Sequence, residues 1–430
     1  MIFYPTYASS ASLKRPFVFD PKLKSELVYQ GLELPTNMAF LGPDDILVLE
    51  KNKGTIERIV NGVKLGEPVL DLGVASGERL LGIAIQNNFI TSHADIHKNS
   101  TYVFLYLAAV EKRDQNLIGK MGNSLYRYEL VDNKLVNPKL LLDLPSAVGH
   151  NGGEILIGPD KYVYITVGEL RNKTSLSHER NKALNNQSND ANEPDGRGGI
   201  LRIDQNGQSI GTHGILGDKG QLKKYYAYGI RNSFGMDFDP LTGKLWDTEN
   251  GPSFGDEINL VEPGFDSGWR KVQGIWTVAG GKKGEEDKGP LASEKPLNLV
   301  DFNGKGNYSS PEFTWNKTVG PTAIKFLSSD KLGKQYENDI FVADANEGRI
   351  YHFKLNENRT ELFLQGPLMD KVADNDKELN NVVFAEGFGG TITDLEIGPD
   401  GYLYVVGYVA GKIFRIVPQD SAEKGNSTLP

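Results

Sequence analysis

One three-strand motif is repeated along this chain of 430 residues. In its clearest copies, two short apolar segments flank a Gly-Pro-Asp turn and a third apolar segment follows; these turns begin at Gly42, Gly158 and Gly398. Short apolar segments between turn residues predict β-strands. Weaker copies begin near Leu80, Ser233 and Pro321. Because one unit cannot bury its own faces but several units around an axis can, the repeat predicts an all-β fold, a six-bladed β-propeller.

The repeats extend over almost the whole chain, which predicts a single propeller domain at residues 21–418. Residues 1–20 are predicted to be an N-terminal arm or a processed leader, because small residues cluster there. Residues 419–430 are predicted to be a disordered tail, because their polar composition offers little apolar surface to bury.

Composition and charge exclude several classes of function. A formal net charge of −9 argues against nucleic acid or an anionic membrane as the main partner. The absence of cysteine excludes disulfides, thiolate metal sites and cysteine nucleophiles. No apolar run of about 18 residues is present, so we expect no membrane span. Seven Asn-x-Ser/Thr sequons fit an extracellular, periplasmic or cell-surface protein without establishing one.

His150 and Glu169 are the first candidate site residues. His150 lies in Val148-Gly-His-Asn-Gly-Gly153, directly before a predicted innermost strand. In a propeller this loop faces the channel mouth, where a histidine suits proton abstraction. The alternative is a turn histidine that hydrogen-bonds backbone. Glu169 follows the next strand, where it could orient His150 or be a solvated loop carboxylate.

The next repeat carries Arg231 and Asn232 at the position that His150 occupies in its own repeat. An arginine there would be a hydrogen-bond donor to an anion, directed towards the propeller axis. Its alternative role is to cap exposed strand ends.

A possible calcium site follows in the same repeat. Gly251 and Pro252 form a predicted tight turn with carbonyl oxygens, and Asp256 and Glu257 come shortly after. Carbonyl and carboxylate oxygens are the ligands that Ca²⁺ prefers. The spacing is not that of an EF-hand, so composition alone is a weak metal signal.

Taken in order, three segments carry a resemblance to a known family: His150-x-Gly-Gly, Gly229-Ile-Arg-Asn-Ser-Phe-Gly and Gly251-Pro-x-x-Gly-Asp-Glu-Ile-Asn. The chain resembles the glucose/sorbosone dehydrogenases, which depend on pyrroloquinoline quinone (PQQ). The resemblance covers nearly the whole chain. It implies oxidation of an aldose sugar to its lactone, with hydride passing to the quinone and an external acceptor taking the electrons.

The resemblance also implies a role for each matching residue. His150 would be the general base, and Glu169 the carboxylate that supports it, with Glu in place of the usual Asp. Arg231 and Asn232 would contact the quinone carbonyls, and Arg231 would thereby stabilise the reduced cofactor.

Calcium is implied in the same way. The backbone oxygens of Gly251 and Pro252 match the ligands of the Ca²⁺ ion that anchors and polarises PQQ in the family. Asp256 and Glu257 are kept as further candidates for the metal.

The sequence departs from the family where three cations would face the carboxylates of PQQ. Those positions hold Asn346, Thr391 and Thr393. Their loss removes charge-assisted hydrogen bonds, which are among the stronger ones in proteins. Three cations could replace them: Arg349, which is the first candidate, Lys325 and Arg79.

Three functions therefore stay open. The first is a PQQ- and calcium-dependent aldose dehydrogenase. The second is a non-catalytic extracellular calcium-binding propeller that has lost PQQ. The third is a calcium-dependent lactonase, because hydrolytic propellers also place a metal at the channel mouth.

Overall fold

The computed structural model describes residues 16–73, 78–87, 101–109, 122–145, 149–170, 194–280, 286–296 and 298–419. Within these residues the regular secondary structure is almost entirely β-strand, in six sheets of four to six strands and one small sheet of three. Residues 1–15 of the predicted arm and 420–430 of the predicted tail lie outside the described part. The boundaries of the single propeller domain stay a prediction.

Two strands precede the first sheet: β1 (Phe17–Val18) and β2 (Leu23–Gln30). The first sheet contains β3 (Pro35–Gly42), β4 (Asp45–Glu50), β5 (Thr55–Val60), β6 (Val63–Lys64) and β7 (Leu70–Asp71). The second contains β8 (Glu78–Asn87), β9 (Thr101–Ala109), β10 (Asn123–Val131) and β11 (Lys134–Leu144). In both sheets, successive strands pair antiparallel as a meander, except that β7 pairs with β5.

The third sheet contains β12 (Ile155–Ile157), β13 (Val163–Val167), β14 (Gly199–Ile203), β15 (Tyr225–Tyr228), β19 (Phe265–Asp266) and β23 (Asn307–Tyr308). The fourth contains β16 (Ser233–Phe238), β17 (Leu245–Glu249), β18 (Asp256–Val261), β24 (Phe313–Trp315) and β28 (Val372–Ala373). The small sheet contains β20 (Val272–Gln273), β21 (Trp276–Gly280) and β22 (Glu286–Leu291).

The fifth sheet contains β25 (Pro321–Phe326), β26 (Ile340–Asp344), β27 (Arg349–Phe353), β29 (Val383–Glu386) and β1. The sixth contains β30 (Ile392–Ile397), β31 (Leu403–Gly407), β32 (Lys412–Pro418) and β2. Helix is confined to α1 (Asp376–Leu379) and the 3₁₀ turns Gly220–Lys224 and Gly366–Asp370 within the described residues. None of these is long and apolar enough to cross a membrane.

The two ends of the chain meet in the sixth sheet. Strand β2 pairs antiparallel with β32, so that Leu23 lies opposite Pro418 and Gln30 opposite Lys412. The innermost strand of the sixth sheet, β30, also contacts β3 of the first sheet. The sheets therefore close into a ring, which removes exposed strand edges.

The core is divided among the interfaces between neighbouring sheets. One cluster of buried apolar residues lies at each of the six interfaces. Between the fourth and fifth sheets, for example, Trp246 and Trp315 pack with Tyr351, and all three are fully buried. The propeller fold is confirmed. The number of blades stays a prediction, which the six large sheets of the described residues support.

A ring of hydrogen bonds also joins each sheet to the next at one end of the channel. Each bond runs from a side chain to a backbone oxygen at or near the start of the next innermost strand. The donors and acceptors are Thr36 to Leu80, Tyr106 to Asn151, Thr166 to Ser233, Asn250 to Pro321, Thr322 to Ile392, and Thr393 to Pro35. The ring fixes the relative positions of the loops at this end, the channel mouth.

Candidate functional site

His150 lies at the channel mouth in the loop before β12, and its backbone conformation there is unusual. Its φ is 57°, in the left-handed region that few non-glycine residues adopt. Gly168 packs against this loop so closely that a Cβ on it would lie 2.2 Å from the carbonyl oxygen of His150. Such a strained conformation persists only where the surroundings enforce it, which is typical of functional sites.

A carboxylate and an indole fix the His150 ring. Nδ1 of His150 lies 2.9 Å from Oε1 of Glu169, and Nε1 of Trp269 donates to Oε2 of Glu169 at 2.7 Å. Burial would raise the pKa of Glu169, but the hydrogen bond with His150 and the charge of Arg231 outweigh it and lower that pKa. An ionised Glu169 accepts the proton of Nδ1, so Nε2 of His150 carries the lone pair.

Arg231 faces that lone pair. Its Nη2 lies 3.4 Å from Nε2 of His150, and its Nη1 donates to the backbone oxygen of Asn250 at 2.7 Å. The guanidinium carbon lies 5.3 Å from the centre of the Trp269 ring. Only 4% of Arg231 is exposed, and burial lowers its pKa. Its buried Nε has no hydrogen-bond partner among the described residues, which leaves a donor for a ligand.

Asn232 ties two repeats together next to this arginine. Its Oδ1 accepts a hydrogen bond from the backbone nitrogen of Gly152 at 3.1 Å. Only 3% of Asn232 is exposed. Because the side-chain oxygen already accepts a hydrogen bond, the amide nitrogen is the group that can donate a hydrogen bond to a ligand.

The turn at Gly251 and Pro252 is held by Asp256. Oδ1 of Asp256 accepts from the backbone nitrogen of Gly251, and Oδ2 accepts from those of Val319 and Gly320, all at 2.7 Å. Burial raises the pKa of Asp256 to about 6. These bonds make Asp256 a support for the turn and leave the carbonyl oxygens of Gly251 and Pro252 as candidate ligands.

Asn250 adds a further oxygen beside that turn. Its Nδ2 donates to Pro321, but its buried Oδ1 has no hydrogen-bond partner among the described residues. A buried acceptor without a donor is unusual, and a cation would satisfy it.

Glu257 lies on the opposite face of β18 from Asp256, as strand alternation requires. It accepts hydrogen bonds from Gln273 at 2.9 Å and from Asn259 and Ser267 at 3.1 Å. Burial raises its pKa to about 8. The structure thus does not bring Asp256 and Glu257 around one point. In the part of the chain that is described, no group of three His, Cys, Asp or Glu side chains is arranged to hold a metal.

Most of the candidate residues line one cavity of about 400 Å³; Glu169, Glu257 and Arg349 are not among its lining residues. Those that line it include His150, Arg231, Asn232, Gly251, Pro252 and Asp256. Hydrogen-bond donors, a base and backbone oxygens therefore face a single space, a common arrangement in ligand sites.

Comparison with known proteins bears on what this cavity is. A family model described as Glucose / Sorbosone dehydrogenase matches residues 32–415. The chain belongs to this family. It is 30% identical to quinoprotein glucose dehydrogenase B of Acinetobacter calcoaceticus over 393 residues, which is 78% of this chain and 79% of that protein. It is 24% identical to aldose sugar dehydrogenase YliI of Escherichia coli over 406 residues, 92% of this chain and 93% of that protein.

Solved structures agree on the fold of this glucose/sorbosone dehydrogenase family member. The PQQ-bound aldose sugar dehydrogenase of Streptomyces coelicolor superimposes with a TM-score of 0.60 at 21% identity, over 93% of this chain and 99% of that one. The apo aldose sugar dehydrogenase of Escherichia coli gives a TM-score of 0.65 at 21% identity, over 92% of this chain and all of the other.

The uncharged residues at the family's cation positions have structural partners. Thr391 and Thr393 donate to the backbone oxygens of Ala345 and Pro35 at 2.8 and 2.9 Å. Asn346 lines the cavity, but its Nδ2 donates to the backbone oxygen of Thr318. These side chains join neighbouring segments of the ring, and they offer no positive charge to a ligand.

The cations predicted to replace them lie elsewhere. Arg349 is not among the residues that line the cavity, and its Nε lies 3.7 Å from Glu386 on the neighbouring strand. Lys325 is buried deeper in the channel, 2.8 Å from Glu396. The side chain of Arg79 lies outside the described part of the structure.

Two residues of the site were not among the sequence candidates. Trp269 meets Glu169 across 100 positions of sequence, a contact that no local pattern reveals. Asn250 directly precedes Gly251, and this position next to a predicted calcium ligand was the one sequence feature that could have indicated Asn250.

Gly168→Ala should disturb this site through backbone contact alone. A Cβ there would lie 2.2 Å from the oxygen of His150 and 2.7 Å from Oδ1 of Asn232. We expect the free energy of unfolding in urea to fall by about 1–3 kcal/mol. Gly66→Ala is the matched control, because its Cβ would meet nothing within 4 Å. Equal stability of the two variants would contradict so close an approach of Gly168 to the His150 loop.

Proposed function

We propose that this family member is a PQQ- and calcium-dependent dehydrogenase that oxidises an aldose to its lactone. The observation that carries the proposal is the convergence of the basic nitrogen of a histidine, Nε2 of His150, on the buried guanidinium of Arg231 in one cavity. Quinoprotein glucose dehydrogenase B and the PQQ-bound enzyme of Streptomyces coelicolor support PQQ as the cofactor.

The residues present suit the quinone end of PQQ. Nε of Arg231 is a buried donor without a partner among the described residues, and the amide nitrogen of Asn232 is a second donor. Both suit carbonyl oxygens on which negative charge develops. When bound, PQQ supplies the two-electron acceptor for the hydride that leaves the anomeric carbon.

His150 performs the proton transfer in this proposal. Its Nε2 takes the proton of the anomeric hydroxyl, while C1 loses its hydride and becomes the carbonyl carbon of the lactone. Glu169 keeps the proton on Nδ1 and stabilises the imidazolium that forms. Trp269 holds Glu169 in place through its indole N–H.

Calcium is the second part of the proposal. The carbonyl oxygens of Gly251 and Pro252 and Oδ1 of Asn250 form a set of hard oxygen ligands, which Ca²⁺ prefers. There the ion would polarise the cofactor as a Lewis acid. Asp256 would support calcium binding indirectly, because it holds the turn that carries these carbonyl oxygens.

Reconstitution tests this function directly. The purified apoprotein is incubated with PQQ and CaCl₂, and dye reduction is followed with a panel of aldoses. We expect activity that needs PQQ, the sugar and calcium, and that falls when the metal is omitted after chelator treatment. Absence of dye reduction with every aldose, despite bound PQQ, would contradict the proposal.

A non-catalytic propeller is the second candidate function. The observation that favours it is the use of Thr391 and Thr393 as structural donors where the family has cations. It predicts a stable protein that binds Ca²⁺ but not PQQ. The reconstitution experiment separates the two candidates.

Partners and location follow from the first proposal. The partners would be a small sugar and an external electron acceptor. The location would be outside the cytoplasm, at the cell surface, in a periplasm or in the medium. Fractionation of the native host with antibody detection would test this.

A further inference from the structure

A second cavity lies on the propeller axis beside the first. It measures about 130 Å³ and shares Phe234 and Thr322 with the site cavity, so the two are adjacent. In five of the six large sheets of the described residues, the register of the innermost strand shifts close to its start, as at a β-bulge. The residues at these shifts line the axial cavity: Thr36, Asn37, Leu81, Phe234, Thr322 and Thr393. Because a bulge changes the direction of side chains, these irregularities together shape the cavity.

Phe234 is the large apolar residue of this cavity that stays exposed. Its exposed fraction is 37%, although it lies on the innermost strand β16. Within the described part of the chain, it belongs to none of the apolar clusters between the sheets. Leu81, by contrast, packs against the cluster between the second and third sheets. An aromatic ring left open in a concave site is typical of a surface that a ligand covers.

Several polar groups beside Phe234 are already bonded to the protein. Three threonine hydroxyls donate to backbone oxygens of the neighbouring sheet, those of Thr36, Thr322 and Thr393. The charged residues that line the cavity are Lys51 and Glu154. Glu154 accepts from Asn37, and burial raises its pKa to about 8, so it is largely neutral at neutral pH. The surface around the phenyl ring therefore offers area for stacking more than hydrogen bonds.

We infer that Phe234 stacks against the fused rings of PQQ and so sets the plane in which the cofactor lies. The inference rests on the proposed function. Arg231 and Asn232 line the site cavity, and Phe234 lines both cavities. A planar ligand whose carbonyls meet Arg231 and Asn232 and which extends towards the axis would therefore cover the phenyl ring. Stacking does not depend on carboxylates, so it would offset part of the loss of the family's three cations.

Binding of PQQ to apoprotein variants, measured by quenching of protein fluorescence, tests this without any assay of activity. Phe234→Ala should weaken binding about 10- to 100-fold, the usual effect of removing an aromatic side chain from a stacked heteroaromatic ring. Phe234→Tyr should bind nearly as the wild type does, whereas Phe234→Leu, which is apolar but not aromatic, should bind more weakly. Phe363→Ala is the control, because it removes a phenyl ring that is 54% exposed and lines neither cavity.

Thermal melts of the same variants separate binding from folding. Without PQQ, Phe234→Ala and wild type should melt at similar temperatures, because the ring lies outside the core clusters; with PQQ, the wild type should be stabilised more. Equal PQQ affinity of Phe234→Ala and wild type would overturn the inference and leave the proposed function standing. Equal affinity of Phe234→Leu and Phe234→Tyr would do the same, because stacking would then contribute nothing. If the wild type itself does not bind PQQ, both the inference and the proposed function fall.

Discussion

His150→Asn is expected to lower kcat for aldose oxidation by about 10²- to 10⁴-fold, the usual contribution of a general base. Asparagine is chosen because it tolerates the positive φ of 57° at this position, and its amide can still donate to Glu169. PQQ affinity should change little, since the imidazole acts on the sugar.

Dye-linked kinetics on the reconstituted enzyme provide the measurement. His213→Asn is the control, because the His213 side chain is 79% exposed and lies outside the cavity. A His150→Asn variant that retains more than a tenth of the wild-type kcat would show that another group removes the proton.

Glu154→Gln is expected to remove the part of the pH dependence of stability that this one buried acid contributes. Burial raises the pKa of Glu154 from 4.5 to about 8, next to Lys325, Glu396 and Asp237 in the channel. Between these two values the carboxyl is protonated in the folded state but ionised in the unfolded state. Unfolding then releases a proton, so stability falls as pH rises, by up to about 1.4 kcal/mol per pH unit.

Urea unfolding at pH values from 5 to 8 provides the test. The wild type should lose stability steadily over this range. Glu154→Gln should lose less, since glutamine imitates the neutral acid and still accepts from Asn37. A slope should persist in the variant, because other buried acids also release protons on unfolding: Glu257, with a pKa raised to about 8, and Asp237, with a pKa raised to about 6. Identical slopes in Glu154→Gln, wild type and the exposed-site control Glu337→Gln would refute this account of the channel.

Much of the fold follows from the sequence because its repeat has both the period of a strand and fixed turn residues. Gly158-Pro-Asp joins β12 to β13, and Gly398-Pro-Asp joins β30 to β31. Contacts between segments that lie far apart in the sequence could not be predicted from the repeat. The small sheet of β20 to β22 has no counterpart in the repeat, and no local pattern indicates that β1 pairs with β29.

Some contacts of the candidate site can likewise be predicted from the sequence, and others cannot. His150 and Arg231 meet because each precedes an innermost strand in adjacent repeats, which the sequence displays. Asp256 and Glu257 are neighbours in sequence, yet strand alternation sends them to opposite faces. Arg349 extends towards Glu386 on the adjoining strand, which depends on the register of β27 and not on distance from Asn346.

The most direct test of the central claim is an anaerobic absorbance titration of the calcium-loaded apoprotein with PQQ, followed by addition of an aldose. The account predicts saturable binding of one PQQ per chain, and then bleaching of the bound quinone spectrum by the sugar in wild type but not in His150→Asn. Failure of PQQ to bind, or a bound quinone that no aldose reduces, would contradict it.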